Sequence, residues 1–461
     1  MKQKKSLLKL KKASVAVGKE DYITSIRLCK ELIKKVPKNI SALKLLATSF
    51  IALKRYDEAE VTLKRVIILV SQTESYSLLH LLGCNYISQQ DNNNALDILE
   101  TLFNKTGDSK ILLDIALAHF NLGNYDTARD VYLKLIELEP NNHQAKFNLY
   151  PILLHLKDYK NAWVCFHSRL ERQEIKDQVH WFAPQWSGES ISGKNILIYP
   201  EQGIGDNLAY TGCFSEAIAD ASKTSIVCDN RLKGLYKHNF PKATVFSYED
   251  VNREQTVKGD FDCQILAGSL PYFYRLDEES FLNEPKLHVL EELQQEKMTQ
   301  LSDKKLKIGL SWFHGRVNDG NANSMYLEEL LPLLKNKNIE WVNLQFGEWQ
   351  PEVNALERKY GIKISHFEDC AASGDFDHYA ALIASLDLVV AASNAALMLA
   401  SRLGVNAYMF LPGSSQEKNI SNNQEVLYGK NTRVFYKERA TNWDTLVLQL
   451  CNEIEPLLKL S

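Results

Sequence analysis

Paired metal ligands and closely spaced cysteines are lacking in this sequence of 461 residues. The eight cysteines form no Cys-x-x-Cys pair and the eleven histidines form no His-x-x-x-His pair, so neither a disulfide framework nor a structural zinc site is predicted. Scattered, reduced thiols of this kind are typical of the cytoplasm. We therefore expect a cytoplasmic protein without a metal or other cofactor.

Long apolar runs and a strong net charge are lacking too. No run approaches the roughly 18 apolar residues of a membrane span, and lysines interrupt the apolar residues of the N-terminus, so neither a span nor a signal peptide is expected. The net charge of −3 gives no general attraction to nucleic acid or to an anionic membrane. Hydrophobic residues make up 45% of the chain and charged residues 24%, which is a globular composition. The length suggests two or three domains.

The N-terminal part of the chain repeats a short pattern. Tyr22, Tyr56, Tyr125 and Tyr159 are separated by 34, 69 and 34 residues. A small residue recurs in each unit, and an apolar or aromatic residue follows it four positions later: Ser25, Ala59, Ala95, Ala128 and Ala162, then Cys29, Leu63, Leu99, Tyr132 and Phe166. Two of the units close with a proline, Pro37 and Pro140. This period, with a small residue where two helices cross, resembles the tetratricopeptide repeat.

The resemblance implies an α-solenoid of about five units over residues 1–175, with a concave face. Scaffolds of this kind usually bind a protein or peptide. Self-association through the same repeats is the alternative, because repeat folds support many functions.

From residue 194 onward, short apolar runs alternate with amphipathic segments, which predicts parallel α/β sheets. The predicted strands form two series, at 195–199, 225–229, 244–248 and 263–268, and at 306–312, 341–346, 387–392, 407–412 and 432–436. The charged segment 288–305 divides them. We therefore predict an α + α/β chain with a linker at 176–193 and two Rossmann-like domains, at 194–290 and 300–461, that face each other across a cleft.

The stretch "YPEQGIGDNLAY", from Tyr199 to Tyr210, places two glycines and an acidic residue directly after a predicted strand. A dinucleotide fingerprint would need a third glycine at Leu208, which argues against an oxidoreductase. A purely structural turn is a second interpretation, because glycine permits a sharp strand-to-helix bend. A third is a substrate loop in which Asp206 stands at a helix start, where the helix dipole keeps its carboxylate ionised for work as a general base.

Residues 184–208, "PQWSGESISGKNILIYPEQGIGDNL", resemble the entry segment of bacterial proteins that join tetratricopeptide repeats to a GT-B glycosyltransferase. The catalytic half is similar to the heptosyltransferases and more distantly to protein O-GlcNAc transferases. Further matches are "FDCQILAGSLP" (261–271), "KIGLSW" (307–312), "VNLQFGE" (342–348), "DFDHYAALIASLDLVVAASNAALMLASRLG" (375–404) and "MFLPG" (409–413). Each segment alone is a weak signal, and the series is specific.

The resemblance implies a role for each matching residue. Asp206 takes the position of the presumed catalytic base, with Glu201 as the competing carboxylate. The loop that would face the acceptor contains Glu201, Gln202, Gly203, Gly205 and Asn207. The nucleotide sugar would be bound at two strand ends and one helix start, by Ser311, Trp312, Asn343, Leu344, Gln345, Ser393, Asn394, Ala395 and Met398. Free N–H groups at that helix start attract a phosphate, although Asn394 or Ser393 is equally a natural N-cap.

Two departures from the family pattern concern the phosphate of the sugar donor. The family usually has a histidine where this chain has Met398, and often a basic residue where it has Asn323, before Ser324. Both changes remove positive charge. They favour a CMP-linked sugar, with its single phosphate, over a UDP- or ADP-linked one, and they are equally compatible with an inactive enzyme.

Two Asp-x-Asp sequences, Asp260 to Asp262 and Asp375 to Asp377, resemble the metal-binding motif of the other main glycosyltransferase fold. The first directly precedes a predicted strand, and the second precedes a helix that its first aspartate can cap. We expect neither to bind a metal.

The resemblance implies a function as well. Several members of the family glycosylate flagellin, transferring a CMP-activated nonulosonic acid of the pseudaminic or legionaminic type to serine or threonine while the repeats hold the flagellin. One alternative is a transferase that uses a UDP- or ADP-sugar on another protein or on a polysaccharide. The other is a non-catalytic adaptor in which the repeats act and the second half is vestigial.

Overall fold

The structure is a computed structural model. It describes residues 2–201, 203–254, 260–282, 284–313, 324–370, 374, 376–412, 425–426, 429–437 and 443–459. Contacts divide the chain into two compact units, Met1–Ile152 and Leu153–Ser461. Among the helices of the described residues, none is both long and apolar enough to cross a membrane.

The first ten helices of the described chain follow one another with no strand between them. They are α1 (Lys2–Gly18), α2 (Tyr22–Lys35), α3 (Ile40–Ala52), α4 (Tyr56–Ile67), α5 (Gln72–Ser88), α6 (Asn92–Thr106), α7 (Lys110–Asn121), α8 (Tyr125–Leu138), α9 (His143–His155) and α10 (Tyr159–His167). From α1 to α8 each helix packs against the next, and α1 also contacts α3 as α5 contacts α7. The predicted α-solenoid is confirmed.

The residues that mark the repeat have the structural places that the pattern predicts. The four tyrosines begin the second helix of their units, α2, α4, α8 and α10. All five small residues are completely buried: Ser25, Ala59, Ala95, Ala128 and Ala162. A larger side chain at these positions would push apart two helices that cross closely.

A turn in the left-handed region precedes the second helix of each described unit. Glu20, Lys54, Gln90, Gly123 and Lys157, each two positions before a helix start, have φ between 57° and 79°. Most side chains avoid this region, and the repeated turn holds them there. The sequence pattern did not predict the turn because only Gly123 is of the residue type that marks it.

The remaining described elements alternate between helix and strand. They are α11 (Gln173–Gln178), β1 (Asn195–Tyr199), α12 (Ile204–Tyr210), α13 (Phe214–Asp220), β2 (Lys223–Cys228), α14 (Lys233–Asn239), β3 (Ala243–Ser247), α15 (Tyr248–Glu254), β4 (Cys263–Leu266), α16 (Pro271–Tyr274), α17 (Glu278–Leu282), α18 (Glu291–Gln300), β5 (Leu306–Ser311), α19 (Leu331–Leu334), β6 (Ile339–Asn343), α20 (Gln350–Tyr360), α21 (Phe376–Ala384), β7 (Leu388–Ala391), α22 (Ala395–Leu403), β8 (Ala407–Pro412), β9 (Glu425–Val426), β10 (Gly429–Lys437) and α23 (Asp444–Ile454). The nine predicted strands are all present, and the described residues add the two-residue β9.

The first sheet of the described residues is parallel, with strand order β3-β2-β1-β4. The chain runs outward from β1 to β3 and then returns to β4 on the other side of β1. The strand order therefore reverses between β1 and β4. In open α/β sheets, ligands bind beyond the carboxyl ends of the strands at this reversal, and the Gly-Ile-Gly-Asp loop leaves β1 there.

The second sheet has the order β6-β5-β7-β8-β10-β9 among the described residues, parallel except for the pair of β9 and β10. Its order reverses between β5 and β7, so the segments that follow these two strands share one edge. Both sheets thus match the predicted Rossmann-like α/β architecture.

The stretch expected as a linker runs along the outer edge of β4. The Trp186 backbone N–H donates to the Gln264 carbonyl at 2.8 Å, and the Gln264 side chain donates to the His180 carbonyl at 2.9 Å. The Trp186 ring stacks on Phe273, with ring centroids 4.1 Å apart. The stretch therefore covers a sheet edge that would otherwise expose unpaired backbone groups.

Candidate functional site

The loop after β1 turns the chain from a buried strand into a helix. Helix α12 begins at Ile204, and its N-cap, Gly203, has extended backbone (φ −81°, ψ 172°). Asp206 lies in the first turn of α12 and is half-buried. An acidic residue is favoured there because the first turn carries the positive end of the helix dipole. Gln202 lies outside the described residues.

Glu201 is buried, and Arg169 holds its carboxylate. Arg169 Nη2 and Nε donate to Glu201 Oε1 at 2.5 and 3.0 Å, and Nη2 also donates to Ser269 Oγ at 2.8 Å. The guanidinium lies over the Phe166 ring, 4.2 Å from its centroid. Both charged side chains are at most 1% exposed. A carboxylate enclosed in this way supports the loop and is poorly placed to meet an acceptor hydroxyl.

Asn207 fixes the start of α12 from the inside. Its Nδ2 donates to the Gly203 carbonyl at 3.0 Å, and its own carbonyl accepts a hydrogen bond from the Tyr236 hydroxyl at 3.2 Å. Tyr236 belongs to α14, so the loop is tied to a neighbouring helix of the same sheet. Leu208, which replaces the third glycine of a dinucleotide fingerprint, is completely buried.

Three predicted residues from three strand ends of the second sheet form one hydrogen-bonded group. Asn394 Nδ2 donates to Ser311 Oγ at 2.8 Å, and Ser311 Oγ donates to Gln345 Oε1 at 3.3 Å. Gln345 Oε1 also accepts the Phe313 backbone N–H at 2.8 Å. The segments after β5, β6 and β7 are thereby joined at the edge where the strand order reverses.

Helix α22 starts at this group, with Asn394 as its N-cap. Asn394 Oδ1 accepts the backbone N–H groups of Ala396 and Leu397 at 3.1 and 3.3 Å. Because Nδ2 binds Ser311, both ends of the amide position the helix start. The other predicted residues of this segment are half-buried: Ser393, Ala395 and Met398.

Asn343, at the end of β6, connects this group to a histidine that the sequence did not reveal. Its Oδ1 accepts the Gln345 backbone N–H at 3.0 Å, and its Nδ2 lies 3.3 Å from His366 Nδ1. The His366 ring packs on Trp349 at a centroid distance of 4.3 Å. Burial lowers the pKa of His366, so the ring is neutral at neutral pH. No motif surrounds His366, and only the fold brings it to the end of β6.

Trp312 and Leu344, predicted to line a nucleotide pocket, are each 1% exposed. Trp312 belongs to the hydrophobic core of the second sheet. The Leu344 side chain lies over Gly309, and its carbonyl accepts the Tyr379 hydroxyl at 2.8 Å. These two side chains therefore support the strand ends from within the core.

The segments that follow the strands at the two order reversals lie next to each other, because α12, which follows β1, packs against α22, which follows β7. A Cβ atom added at Gly205 would lie 3.7 Å from both the N and the Cα atom of Ala395. The space between Gly205 and the start of α22 would therefore be just filled by one added methyl group. Asp206 is the next residue along the chain.

A bulky side chain at Gly205 should separate these two helices. We expect Gly205→Leu to lower the free energy of unfolding by about 1–3 kcal/mol, the usual range for overpacking, and to weaken nucleotide binding. Gly203→Leu is the matched control, because an added Cβ there would meet no atom of the described residues within 4 Å. All seven tryptophans lie in the second unit, so their fluorescence reports its unfolding alone. Equal effects of the two substitutions would contradict the contact.

The other end of α22 is held by a charge cluster that sequence reasoning missed, in which Arg275, Arg402 and Glu284 have buried side chains. Glu284 accepts from Arg275 Nε at 2.7 Å and from Arg402 Nη1, and Arg275 Nη1 donates to Glu216 Oε1 at 2.6 Å. Glu216 lies on α13 beside the first sheet, and Arg402 lies on α22 beside the second. Partners 59 and 118 residues apart leave no local signal in the sequence.

Asp262 and Asp377, one residue of each Asp-x-Asp sequence, each lie against another segment of the described chain. Asp262 Oδ2 accepts the Asn195 backbone N–H at 2.7 Å, at the start of β1 and so at the opposite edge of the sheet from the Gly-Ile-Gly-Asp loop. Asp377 lies against Gly234, where an added Cβ would come within 1.9 Å of Oδ2. Asp375 lies outside the described residues, as do Asn323 and Gly413.

Comparison with known proteins bears first on the helices. Residues 114–147 match the model of the Fis1 C-terminal tetratricopeptide repeat. The match covers most of α7, all of α8 and the start of α9, and the run of consecutive helices around it fits a tetratricopeptide-repeat solenoid. The chain is also 27% identical to Protein FlbA of Caulobacter vibrioides over 314 residues, covering 64% of this chain and 52% of the relative. It therefore spans about half the length of that relative, and the match is too long to be confined to the first unit.

Solved structures with some likeness are repeat proteins. MamA 41-end from Desulfovibrio magneticus RS-1 is 16% identical, with a TM-score of 0.34, over 38% of this chain and 98% of that chain. YrrB, described as a TPR protein with an unusual peptide-binding site, is 13% identical, with a TM-score of 0.31, over 36% of this chain and 84% of that chain. Both likenesses are too low to add to what the helices themselves establish.

Proposed function

We propose that this protein is a GT-B glycosyltransferase whose α/β unit transfers a sugar from a nucleotide to a protein held by the repeats. The observation that carries the proposal is the packing of α12 against α22, which brings Gly205 close to the start of α22 at Ala395. Through it, the ligand-binding edge of one Rossmann-like sheet meets that of the other. Two such edges at one place suit a transfer between two bound substrates, because reaction requires that both be held close together.

In the proposed mechanism Asp206 is the general base. A serine or threonine hydroxyl of the acceptor attacks the anomeric carbon, its proton passes to the Asp206 carboxylate, and the bond from that carbon to the phosphate oxygen breaks. The phosphate leaves toward the start of α22, where backbone N–H groups and the helix dipole stabilise negative charge. The Arg169–Glu201 pair and Asn207 hold the loop that carries the base.

For the sugar donor we propose a CMP-linked nonulosonic acid of the pseudaminic or legionaminic type. Two observations from the residues support a single phosphate. Met398 adds no positive charge to the first turns of α22, and the amide of Asn394 is already committed to its cap and to Ser311. A diphosphate would need more countercharge than these groups supply.

For the acceptor we propose flagellin, bound by the tetratricopeptide repeats in the cytoplasm. Repeat scaffolds offer extended surfaces for proteins and peptides, and affinity gained far from the reacting hydroxyl can be used to orient it. Intact mass of flagellin from cells with and without the gene tests this directly. A loss of one nonulosonic acid per site in the deletion strain is the expected result, and an unchanged mass would exclude this acceptor.

Nucleotide binding separates the proposed function from its alternatives. We expect calorimetry of the full-length protein to show tighter binding of CMP than of UDP or ADP. Tighter binding of UDP or ADP would favour a transferase with another sugar donor. If no nucleotide bound, the adaptor interpretation would be the better one.

Substitution of Met398 provides a second test of nucleotide selection. Met398→His adds an ionisable ring one turn into α22, so it should raise the affinity for UDP more than that for CMP. Met298→His is the control, because Met298 is an exposed methionine on a different helix, α18. If both variants changed UDP binding equally, Met398 would have no part in phosphate selection.

A further inference from the structure

Three side chains of different chemistry meet in the helical solenoid, outside the proposed active site. They are His80 and Cys84 on α5 and Asp114 on α7. One imidazole nitrogen, one sulfur and one carboxylate oxygen lie within 4.8 Å of one another, and His80 Nε2 is 2.6 Å from Asp114 Oδ2. The structure thus gathers three side chains that can each bind a metal.

Helix geometry accounts for the arrangement. His80 and Cys84 are four residues apart, so their side chains project from the same face of α5 one turn apart. Asp114 comes from α7, which contacts α5 side by side in the solenoid. The spacing His-x-x-x-Cys is that of the familiar His-x-x-x-His helical pair with one nitrogen ligand replaced by sulfur.

The chemistry of the set selects the metal. Nitrogen and sulfur ligands disfavour Mg²⁺ and Ca²⁺, which take oxygen, and they suit Zn²⁺. Around a tetrahedral Zn²⁺ with bonds of about 2.0–2.3 Å, ligand atoms lie about 3.2–3.8 Å apart. The 2.6 Å between His80 Nε2 and Asp114 Oδ2 and the 4.8 Å upper limit for all three atoms bracket this range.

We propose that His80, Cys84 and Asp114 form a Zn²⁺ site with three protein ligands and one open position. The His80 and Asp114 side chains are 30% and 21% exposed, so water can reach the site. A water molecule fills it in the isolated protein. The site cross-links two successive repeat units, and bound metal therefore stabilises the solenoid by mass action. This inference is independent of the glycosyltransferase proposal.

An ordinary ion pair between His80 and Asp114 is the competing explanation. The role of Cys84 distinguishes the ion pair from the metal site. An ion pair needs no sulfur, whereas a metal site binds through the thiolate. The probe is Co²⁺, which takes the same tetrahedral ligands as Zn²⁺ and gives visible bands together with a charge-transfer band when a thiolate binds it.

Full-length protein is stripped with a chelator, kept reduced with a phosphine, and titrated with Co²⁺ and then with Zn²⁺ as competitor. We expect one equivalent of Co²⁺ to give both kinds of band and Zn²⁺ to abolish them. Cys84→Ser should lose the charge-transfer band, and His80→Gln should weaken Co²⁺ binding by at least about tenfold, the lower end of the effect of even outer-shell substitutions. Cys451→Ser is the matched control, because Cys451 is also half-exposed and lies outside the cluster.

Thermal unfolding followed by far-ultraviolet circular dichroism shows whether each variant is folded, and it gives a second measure of Zn²⁺ binding. Zn²⁺ should raise the unfolding temperature of the wild type and of Cys451→Ser, and leave that of Cys84→Ser unchanged. Absence of a charge-transfer band in the wild type, or its persistence in folded Cys84→Ser, would overturn the proposal. Either result would leave His80 and Asp114 as an ion pair.

Discussion

Asp206→Asn is expected to lower the rate of sugar transfer by about 10²–10⁴-fold while the protein still folds and binds nucleotide. This corresponds to about 3–5 kcal/mol in the activation barrier. The amide keeps the size of the carboxylate and its place in the first turn of α12. The free energy of unfolding should therefore change by about 1 kcal/mol or less, the scale of a cap effect. Transfer is measured by the mass of the acceptor, and unfolding by tryptophan fluorescence in urea.

Glu279→Gln is the control for this substitution, because Glu279 is an exposed carboxylate in the first turn of another short helix, α17. It should leave transfer unchanged. Glu201→Gln is the informative comparison, since it tests the competing carboxylate. If Glu201→Gln abolished transfer at full stability while Asp206→Asn kept it, the base would be Glu201. If both variants transferred sugar normally, the Gly-Ile-Gly-Asp loop would be only a turn.

Much of the fold was predictable because its signals are local. A period near 34 with small residues at fixed places predicts helix pairs. Ala59 and Ala128 are buried, as expected for small residues where two helices cross closely. Short apolar runs bounded by charged segments specified the strands of both sheets. The helix start at Gly203 was predictable too, because glycine after a strand and an acidic residue in the next turn are both properties of neighbouring residues.

What stayed hidden depends on partners that are distant in the chain. Nothing near Glu201 indicates that Arg169 encloses it, and nothing near Arg402 indicates Glu284. Burial was a second difficulty. Trp312 directly follows β5, next to Ser311, whose hydroxyl belongs to the hydrogen-bonded group with Gln345 and Asn394. Only the packing of the sheet shows that the Trp312 side chain turns into the core. Strand-end residues share an edge by topology, but their individual directions depend on tertiary contacts.

The buried pair of Arg169 and Glu201 leads to the second large effect. Arg169→Met would remove the guanidinium and leave a carboxylate whose side chain is completely buried without its counterion. Breaking a buried pair from one side typically costs about 3–5 kcal/mol, because the remaining charge has lost its water and gains no partner. We expect that loss in the urea unfolding of the second unit, followed by tryptophan fluorescence.

The double variant Arg169→Met with Glu201→Gln separates charge from packing. Replacing both charges removes the cause of the penalty, so most of the lost stability should return. Lys157→Met is the control, because it removes a cation from an ion pair that is exposed to solvent. Lys157 pairs with Glu278 at 2.7 Å, but the two side chains are 41% and 55% exposed, so its removal should cost at most about 1 kcal/mol.

The same variants tell whether Glu201 acts on chemistry or on the position of the loop. Glu201 directly precedes the loop that carries Asp206. Gly268 packs closely against the Arg169–Glu201 pair, because a Cβ added at Gly268 would lie 2.1 Å from Glu201 Oε1. In a positioning role, transfer should fall in Arg169→Met and recover with stability in the double variant. If stability returned while transfer stayed abolished, the Glu201 carboxylate itself would be needed for the reaction. A single Arg169→Met variant as stable as the wild type would contradict the buried pair altogether.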